Sequence, residues 1–386
     1  MPLSATLVRP PGAPGPTRRR FAQWSLAGGL LGSAPVRGAV ESAAGAADAP
    51  ADASLAKAFG QRMLFGMAIT PEQLRGREAA FIAHHCSVVV AENAMKPEAL
   101  APLREGQYEF AAADALVDFA RARGMQVRGH TLMWHQQMPP WLLKDGSATV
   151  SRAQLIGRVE RYITDVVTHF KGRVFAWDVL NEAFVDGEAP ADPGGMRLSE
   201  LRTIIGPEYI EVVFAAAAKA DPDALLFYND YETQSPRKVE MISRMVRSLK
   251  AKGVKIDGIG HQAHCSAGHP SVADFERAID AYARLGVTQH VTELDIALND
   301  SLMENKVTSA TPALLERQAR RYAELVGLFL RRRAQVGALL VWGISDAHSW
   351  LNSWPMQRFE APLLFDAQLR PKPAFHAVLE AAQRAA

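Results

Sequence analysis

The sequence predicts a single (β/α)8 barrel of the TIM type, in the α/β class, and three observations predict it. Eight short apolar or β-branched runs recur from residue 64 onward, amphipathic helical stretches alternate with them, and most runs end in polar or aromatic residues. Strands that are continuously apolar belong to parallel sheets covered by helices on both faces. Eight such strands in alternation with helices point to a closed barrel. An open doubly wound sheet is the competing arrangement, but no run is followed by the G-x-G-x-x-G turn such sheets often carry.

The runs, in order, are LFGMAI (64–69), SVVVAEN (87–93), MQVRGHTL (125–132), VFAWDVLNE (174–182), ALLFYND (224–230), IDGIGHQAH (256–264), TQHVTELDI (288–296) and ALLVWGISD (338–346). Helical stretches with apolar residues at helical spacing fall at 113–124, 151–170, 207–221, 235–253, 271–286 and 311–333. Several open on a Ser, Thr or Asp that can cap the first turn, and several close at Gly.

Residues 1–46 belong to no such element. Arg18, Arg19 and Arg20 precede Phe21, a short apolar run follows, and Ala44-Gly45-Ala46 supplies small residues of the A-x-A type. This order reads as a twin-arginine-like export signal and leader, removed from a protein that works in the periplasm or outside the cell. Residues 47–386 are then the catalytic barrel domain. The alternative is a disordered basic N-terminus that stays attached. The full chain of 386 residues carries 43 Lys+Arg and 41 Asp+Glu, a net charge of +2, which is no footprint for nucleic acid. No stretch is apolar for long enough to span a membrane. The two cysteines, Cys86 and Cys265, are expected to be buried free thiols. The mature protein is expected to be a monomer without a cofactor.

Barrel enzymes place their active sites at the C-terminal ends of the strands, and there the polar residues collect. The runs end in Glu92, Asn93 and Lys96; His130, Trp134 and His135; Asn181 and Glu182; Asn229, Asp230 and Tyr231; Gln262 and His264; Glu293 and Asp295; Trp342, Ser345 and Asp346, with Trp350 just beyond. A lone Glu at a strand end is usually a solvated loop residue. Two that converge on one barrel mouth are the equipment for glycoside cleavage, one giving a proton to the leaving oxygen and the other attacking or directing water. Trp134, Trp342 and Trp350, with Trp141 near them, offer flat apolar faces to sugar rings, though any one of them would also suit a core.

The motifs ENAMK, GHTLMWHQQMPPW, WDVLNE, GIGHQAH and VTELDI, in this order and one per strand, resemble glycoside hydrolase family 10, the endo-β-1,4-xylanases, from about Leu55 to the C-terminus. The resemblance implies a retaining double displacement that cleaves internal β-1,4-xylosidic bonds of xylan or xylooligosaccharides. It implies Glu182 as general acid/base and Glu293 as nucleophile, with Asn181 on the sugar 2-hydroxyl and His264 on the nucleophile, Asp295 behind it. His130, Trp134, Gln262, Trp342 and Trp350 would line the subsite at the cleavage point. Glu92, Asn93 and Lys96 would hold the next sugar toward the non-reducing end.

Two positions leave the family pattern. Pro97 stands where an aromatic residue is usual, which bears on the subsite beside Lys96. Glu232 follows Tyr231 where Asn is frequent, which bears on the leaving-group side. Trp354 and Arg358, in the loop after Trp350, would narrow or extend the cleft. Three other readings compete: the same fold acting on another β-1,4-glycan, a glycan-binding barrel without catalysis, and a metal-dependent hydrolase. The last would draw ligands from His130 and His135, or from His261, His264 and His269. The binding-only reading loses ground to the presence of both Glu182 and Glu293. The metal reading lacks the H-x-H that often opens such sites on the first strand.

Overall fold

A computed structural model describes residues 53–185 and 191–385. The expected export signal therefore lies outside the described residues. Eight parallel strands form the barrel wall: β1 (Leu64–Ile69), β2 (Val88–Ala91), β3 (Gln126–Trp134), β4 (Ala176–Asn181), β5 (Leu225–Asp230), β6 (Gly258–His261), β7 (Thr288–Ala297) and β8 (Val336–Val341). Each pairs with the next, and β8 pairs with both β7 and β1, so the sheet closes and the open-sheet alternative falls away. The run expected at 256–264 is interrupted by Ala263 at φ 58°, after which His264–Ser266 pairs again along β7.

The helices that follow the strands are α1 (Gly76–His85), α2 (Ala111–Arg121), α3 (Arg152–Phe170), α4 (Tyr209–Ala220), α5 (Pro236–Ala251), α6 (Val272–Ala283), α7 (Pro312–Arg331) and α8 (Pro373–Arg384). The Ser and Thr start signals mark real caps. The side chains of Ser151, Ser235, Ser271 and Thr311 accept from backbone N–H groups in the first turns of α3, α5, α6 and α7. In α5, Met241, Ile242, Met245, Val246 and Leu249 are buried, the stripe a helix must turn toward a sheet. Helix α8 was missing from the sequence pattern.

Polar contacts fill the lower part of the barrel. The Arg128 guanidinium pairs with both oxygens of Asp178, donates to His290 Nδ1 at 2.7 Å, and lies 4.3 Å from the Phe227 ring centroid. Burial, with the Arg128 charge beside it, drives His290 well below its ordinary value, which leaves the imidazole neutral and able to accept.

Three irregularities in register shape the upper rim. Thr131 and Leu132 of β3 stand opposite the single Val179 of β4, while Val179 has no counterpart on β5. On β7, Thr292 and Glu293 stand opposite the single Leu340 of β8. An extra residue re-aims the side chains around it, and on β7 that residue falls at Glu293.

Close packing needs glycine at particular points. A Cβ on Gly129 would lie 2.1 Å from the Trp177 ring, which is itself buried against Phe170. Gly129→Ala is expected to lower the unfolding free energy by about 1–3 kcal/mol through overpacking, measured as a lower midpoint in denaturant without a change in slope.

Candidate active site

Two carboxyl groups face each other at the rim through a bridge of amides. Glu293 Oε1 accepts from Asn229 Nδ2 at 2.8 Å, and the same nitrogen donates to Asn181 Oδ1 at 2.9 Å. Glu182 Oε1 accepts from Asn181 Nδ2 at 3.1 Å and from Gln262 Nε2 at 2.9 Å. Its Oε2 accepts from the Trp134 indole at 2.9 Å. Asn229 is fixed in turn by the Thr292 hydroxyl, which donates to its Oδ1 at 2.7 Å. Gly260 makes this possible, because a Cβ there would lie 2.2 Å from Asn229 Oδ1.

Charge divides the two sides of the site. His264 sits between carboxylates, with Nδ1 3.0 Å from Asp295 Oδ2 and Nε2 3.2 Å from Glu293 Oε2. Burial alone would lower the imidazole, but Asp295 and Glu293 overcome it and push the value to about 10. The ring is therefore an imidazolium that donates to both. For Glu293 burial raises the carboxyl, yet the bond from His264, the nearby His130 and the amide of Asn229 hold it below the usual carboxylate value. The Trp350 indole donates to Asp295 Oδ2 at 2.7 Å and fixes the far end of the triad.

The non-polar walls and the second polar group come from neighbouring strands. Lys96 donates to Asn93 Oδ1 at 2.9 Å and stands 5.1 Å from the Trp134 ring centroid. Burial lowers its ammonium value against the opposing pull of Glu293, Glu92 and Glu182. Burial raises the Glu92 carboxyl despite Lys96 nearby. His135, held near 4 mainly by burial, is neutral, with Nδ1 4.0 Å from Glu182 Oε2.

The structure brings Glu92, Asn93, Lys96, His130, Trp134, Asn181, Glu182, Tyr231, Gln262, His264, Glu293, Trp342 and Trp350 into one cleft, with Asp295 behind His264. Trp141 does not line the cleft; its indole donates to the Ala101 carbonyl. Trp354 lines the cleft, stacked on Trp350 at 5.0 Å and 55% exposed. Arg358 does not line it; buried, it ties Leu351, Leu302 and Glu304 carbonyls together between two rim loops. Pro97 opens a one-turn helix directly after Lys96. Glu232 adopts φ 51°, a left-handed conformation that Asn tolerates better than Glu, which explains why Asn is frequent there but not why Glu replaces it.

The histidines considered as metal ligands are engaged separately. His261 contacts Thr233 and Gln289, His264 bridges the two carboxylates, and His269 is largely exposed. Cys86 and Cys265 are both free and buried. Among the described residues no helix is long and apolar enough to cross a membrane.

Sequence reasoning did not single out Arg197 or Tyr228. Asn229 and His135 stood among the polar residues at strand ends, without an assigned role in glycoside cleavage. Arg197 and Tyr228 had no signal, since one lies in a loop and the other reads as an ordinary aromatic core residue.

A barrel with two facing carboxyl groups in a tryptophan-lined cleft at the C-terminal ends of its strands has the arrangement of a glycoside hydrolase. The sequence pattern of Glycosyl hydrolase family 10 matches residues 54–381. Endo-1,4-beta-xylanase B of Paenibacillus barcinonensis is 40% identical over 329 residues, 84% of this chain and 97% of that protein. A thermostable celloxylanase of Thermoclostridium stercorarium is 41% identical over 341 residues, 85% of this chain and 87% of that one. The crystal structure of xylanase B from Clostridium stercorarium F9 superposes with a TM-score of 0.80 at 40% identity, covering 85% of this chain and 99% of that one. This chain belongs to glycosyl hydrolase family 10.

The His264 value of about 10 stands above the ordinary 6.5, so the stability this ring contributes is fully present below pH 6.5 and is lost as pH rises through about 10. Denaturant unfolding of the native protein and His264→Gln should therefore differ most at pH 6 and converge toward pH 10. A difference that stays constant over that range contradicts the charged ring.

Proposed function

We propose that this protein is an endo-acting, retaining β-1,4-xylanase in which Glu293 is the nucleophile and Glu182 the general acid/base. The observation that carries the reading is the unequal setting of the two carboxyls. Glu293 is held ionised by an imidazolium and an amide, whereas Glu182 receives only neutral indole and amide donors on the more open side of the cleft. Family membership and relatives named endo-1,4-beta-xylanase support xylan as the substrate.

In the first step Glu293 attacks the anomeric carbon while Glu182 gives its proton to the departing oxygen. The C–O bond to the leaving sugar breaks and a glycosyl ester forms on Glu293. Having given its proton to the leaving sugar, Glu182 is left a carboxylate ready to take one back, beside a Glu293 whose negative charge the ester has removed. It does so from water, which attacks the anomeric carbon and frees Glu293. Two inversions leave the configuration retained.

Asn181 lines the cleft between the two carboxyls and suits the sugar 2-hydroxyl, a contact that strengthens in the transition state, while the fully buried Asn229 holds Asn181 and Glu293 from behind. His130, Trp134, Gln262, Trp342 and Trp350 form the subsite around the reacting sugar. Glu92, Asn93 and Lys96 take the next one. Tyr231 lies toward the leaving group. The order of basic, apolar and small residues in 1–46 supports export of the folded barrel by a twin-arginine-type route.

The celloxylanase relative favours a second activity on β-1,4-glucan. Reducing-sugar release from xylan and from a soluble β-1,4-glucan measures both. For the roles, Glu293→Ala should lose turnover on xylan and recover it with azide as an α-glycosyl azide. Glu182→Ala, given an activated aryl glycoside and azide, should instead yield the β-glycosyl azide. Wild-type activity in Glu293→Ala, or the opposite pair of configurations, overturns the assignment.

A further inference from the structure

Glu182 has a backbone φ of 57°, in the left-handed region that non-glycine residues seldom occupy. Such a conformation persists only where its surroundings hold it. The surroundings here form a closed ring of contacts. On one side the Glu182 carbonyl accepts from Arg197 Nε at 3.1 Å, and Arg197 Nη2 donates to the Tyr231 hydroxyl at 3.0 Å. On the other side the next two N–H groups, of Ala183 and Phe184, donate to the Tyr228 hydroxyl at 3.0 and 3.3 Å.

Tyr228 sits on β5 and is fully buried, so it touches no part of the cleft. Its hydroxyl donates to Asp230 Oδ2, which turns its lone pairs toward the two N–H groups. Asp230 is anchored in turn. Its Oδ1 accepts from Lys238 Nζ at 2.6 Å, and from the Tyr231 N–H at 2.9 Å. Lys238 also donates to the Tyr231 carbonyl at 2.9 Å and stands 3.5 Å from the Tyr231 ring centroid, which closes the ring back to Arg197. Tyr228, Asp230 and Lys238 are all 0% exposed.

We propose that Tyr228, backed by Asp230 and Lys238, is a positioning residue that fixes the left-handed turn at Glu182 and so aims its carboxyl at the scissile oxygen. The inference rests on the reading of Glu182 as the acid. Burial keeps the Tyr228 phenol far above its ordinary value, so the hydroxyl stays protonated and donates. Removing it leaves two buried N–H groups at the turn without an acceptor, which favours a different backbone path there. A small displacement of a catalytic group weakens proton transfer far more than it weakens binding.

The test compares two substrates that differ in their need for an acid. Xylotetraose has a poor leaving group; 2,4-dinitrophenyl β-xylobioside has one that departs without protonation. Glu182→Ala serves as the reference and should lose about 100-fold or more in kcat/KM on xylotetraose with little change on the aryl substrate. Tyr228→Phe should show the same pattern at about tenfold or more on xylotetraose and under about threefold on the aryl substrate. Equal losses on both substrates, or none, overturn the proposal, because a merely structural tyrosine does not distinguish leaving groups. If Glu182→Ala itself shows no such split, the acid assignment fails instead, and the positioning role with it. Should Tyr228→Phe fail to fold, Asp230→Asn, which frees the hydroxyl to rotate, should give the same split; its absence overturns the proposal.

Discussion

The imidazolium of His264, bonded to Asp295 on one side and Glu293 on the other, is the interaction on which the cleft depends. Glu293 is buried, and an isolated carboxylate in such a place would take up a proton to escape the cost of desolvation. A charged partner in hydrogen-bond contact reverses that preference. The partner stays charged because it is shared: Asp295, itself tied to Trp350, offsets the cost of burying the imidazole. Lys96 and the amide of Asn229 add favourable potential from other strands. Without this arrangement the two carboxyls would be near-equivalent acids sharing a small space, with no division of labour between attack and proton transfer.

The barrel supplies what that interaction needs. Parallel strands deliver side chains from β4, β5, β6 and β7 to one rim, and the amide bridge from Glu182 through Asn181 to Asn229 and Glu293 runs across three of them. The extra residue on β7 turns the strand at Glu293, and the absent side chain of Gly260 leaves room for Asn229. Below the rim, the Arg128–Asp178 pair stiffens the barrel interior and gives His130 a partner, since Asp178 Oδ2 lies 3.0 Å from its Nδ1. The loops after β7 and β8 are bound together by Arg358 and by Glu360, which accepts from the backbone of Leu298. The wall that carries Trp350 and Trp354 is therefore a joined structure.

Much of this was legible in the sequence because strand ends write themselves as abrupt changes from apolar to polar residues. Glu182, Glu293, Asn181, Gln262 and His264 all stand at such changes, and the structure brings them together. Helix α8 was less visible, since it follows a long irregular segment. Tyr228 is apolar in pattern, and its hydroxyl acquires a role only when a turn from another strand lies against it. Arg197 comes from a loop whose sequence has no period. The left-handed turn at Glu182 carries no signal at all, because the residue there is not glycine. Trp354 and Arg358 are neighbours in sequence with opposite fates, one facing the cleft and one buried beneath it, and only packing decides between them.

The central claim is that the charged, imidazolium-bound carboxyl of Glu293 forms the covalent bond to sugar. Trapping tests it directly: the protein is incubated with an activated 2-deoxy-2-fluoro-β-xylobioside, digested, and its peptides are weighed and fragmented by mass spectrometry. The account predicts one added fluorosugar, on the peptide that carries Glu293 and on that side chain. A label on Glu182 or on any other carboxylate would contradict it.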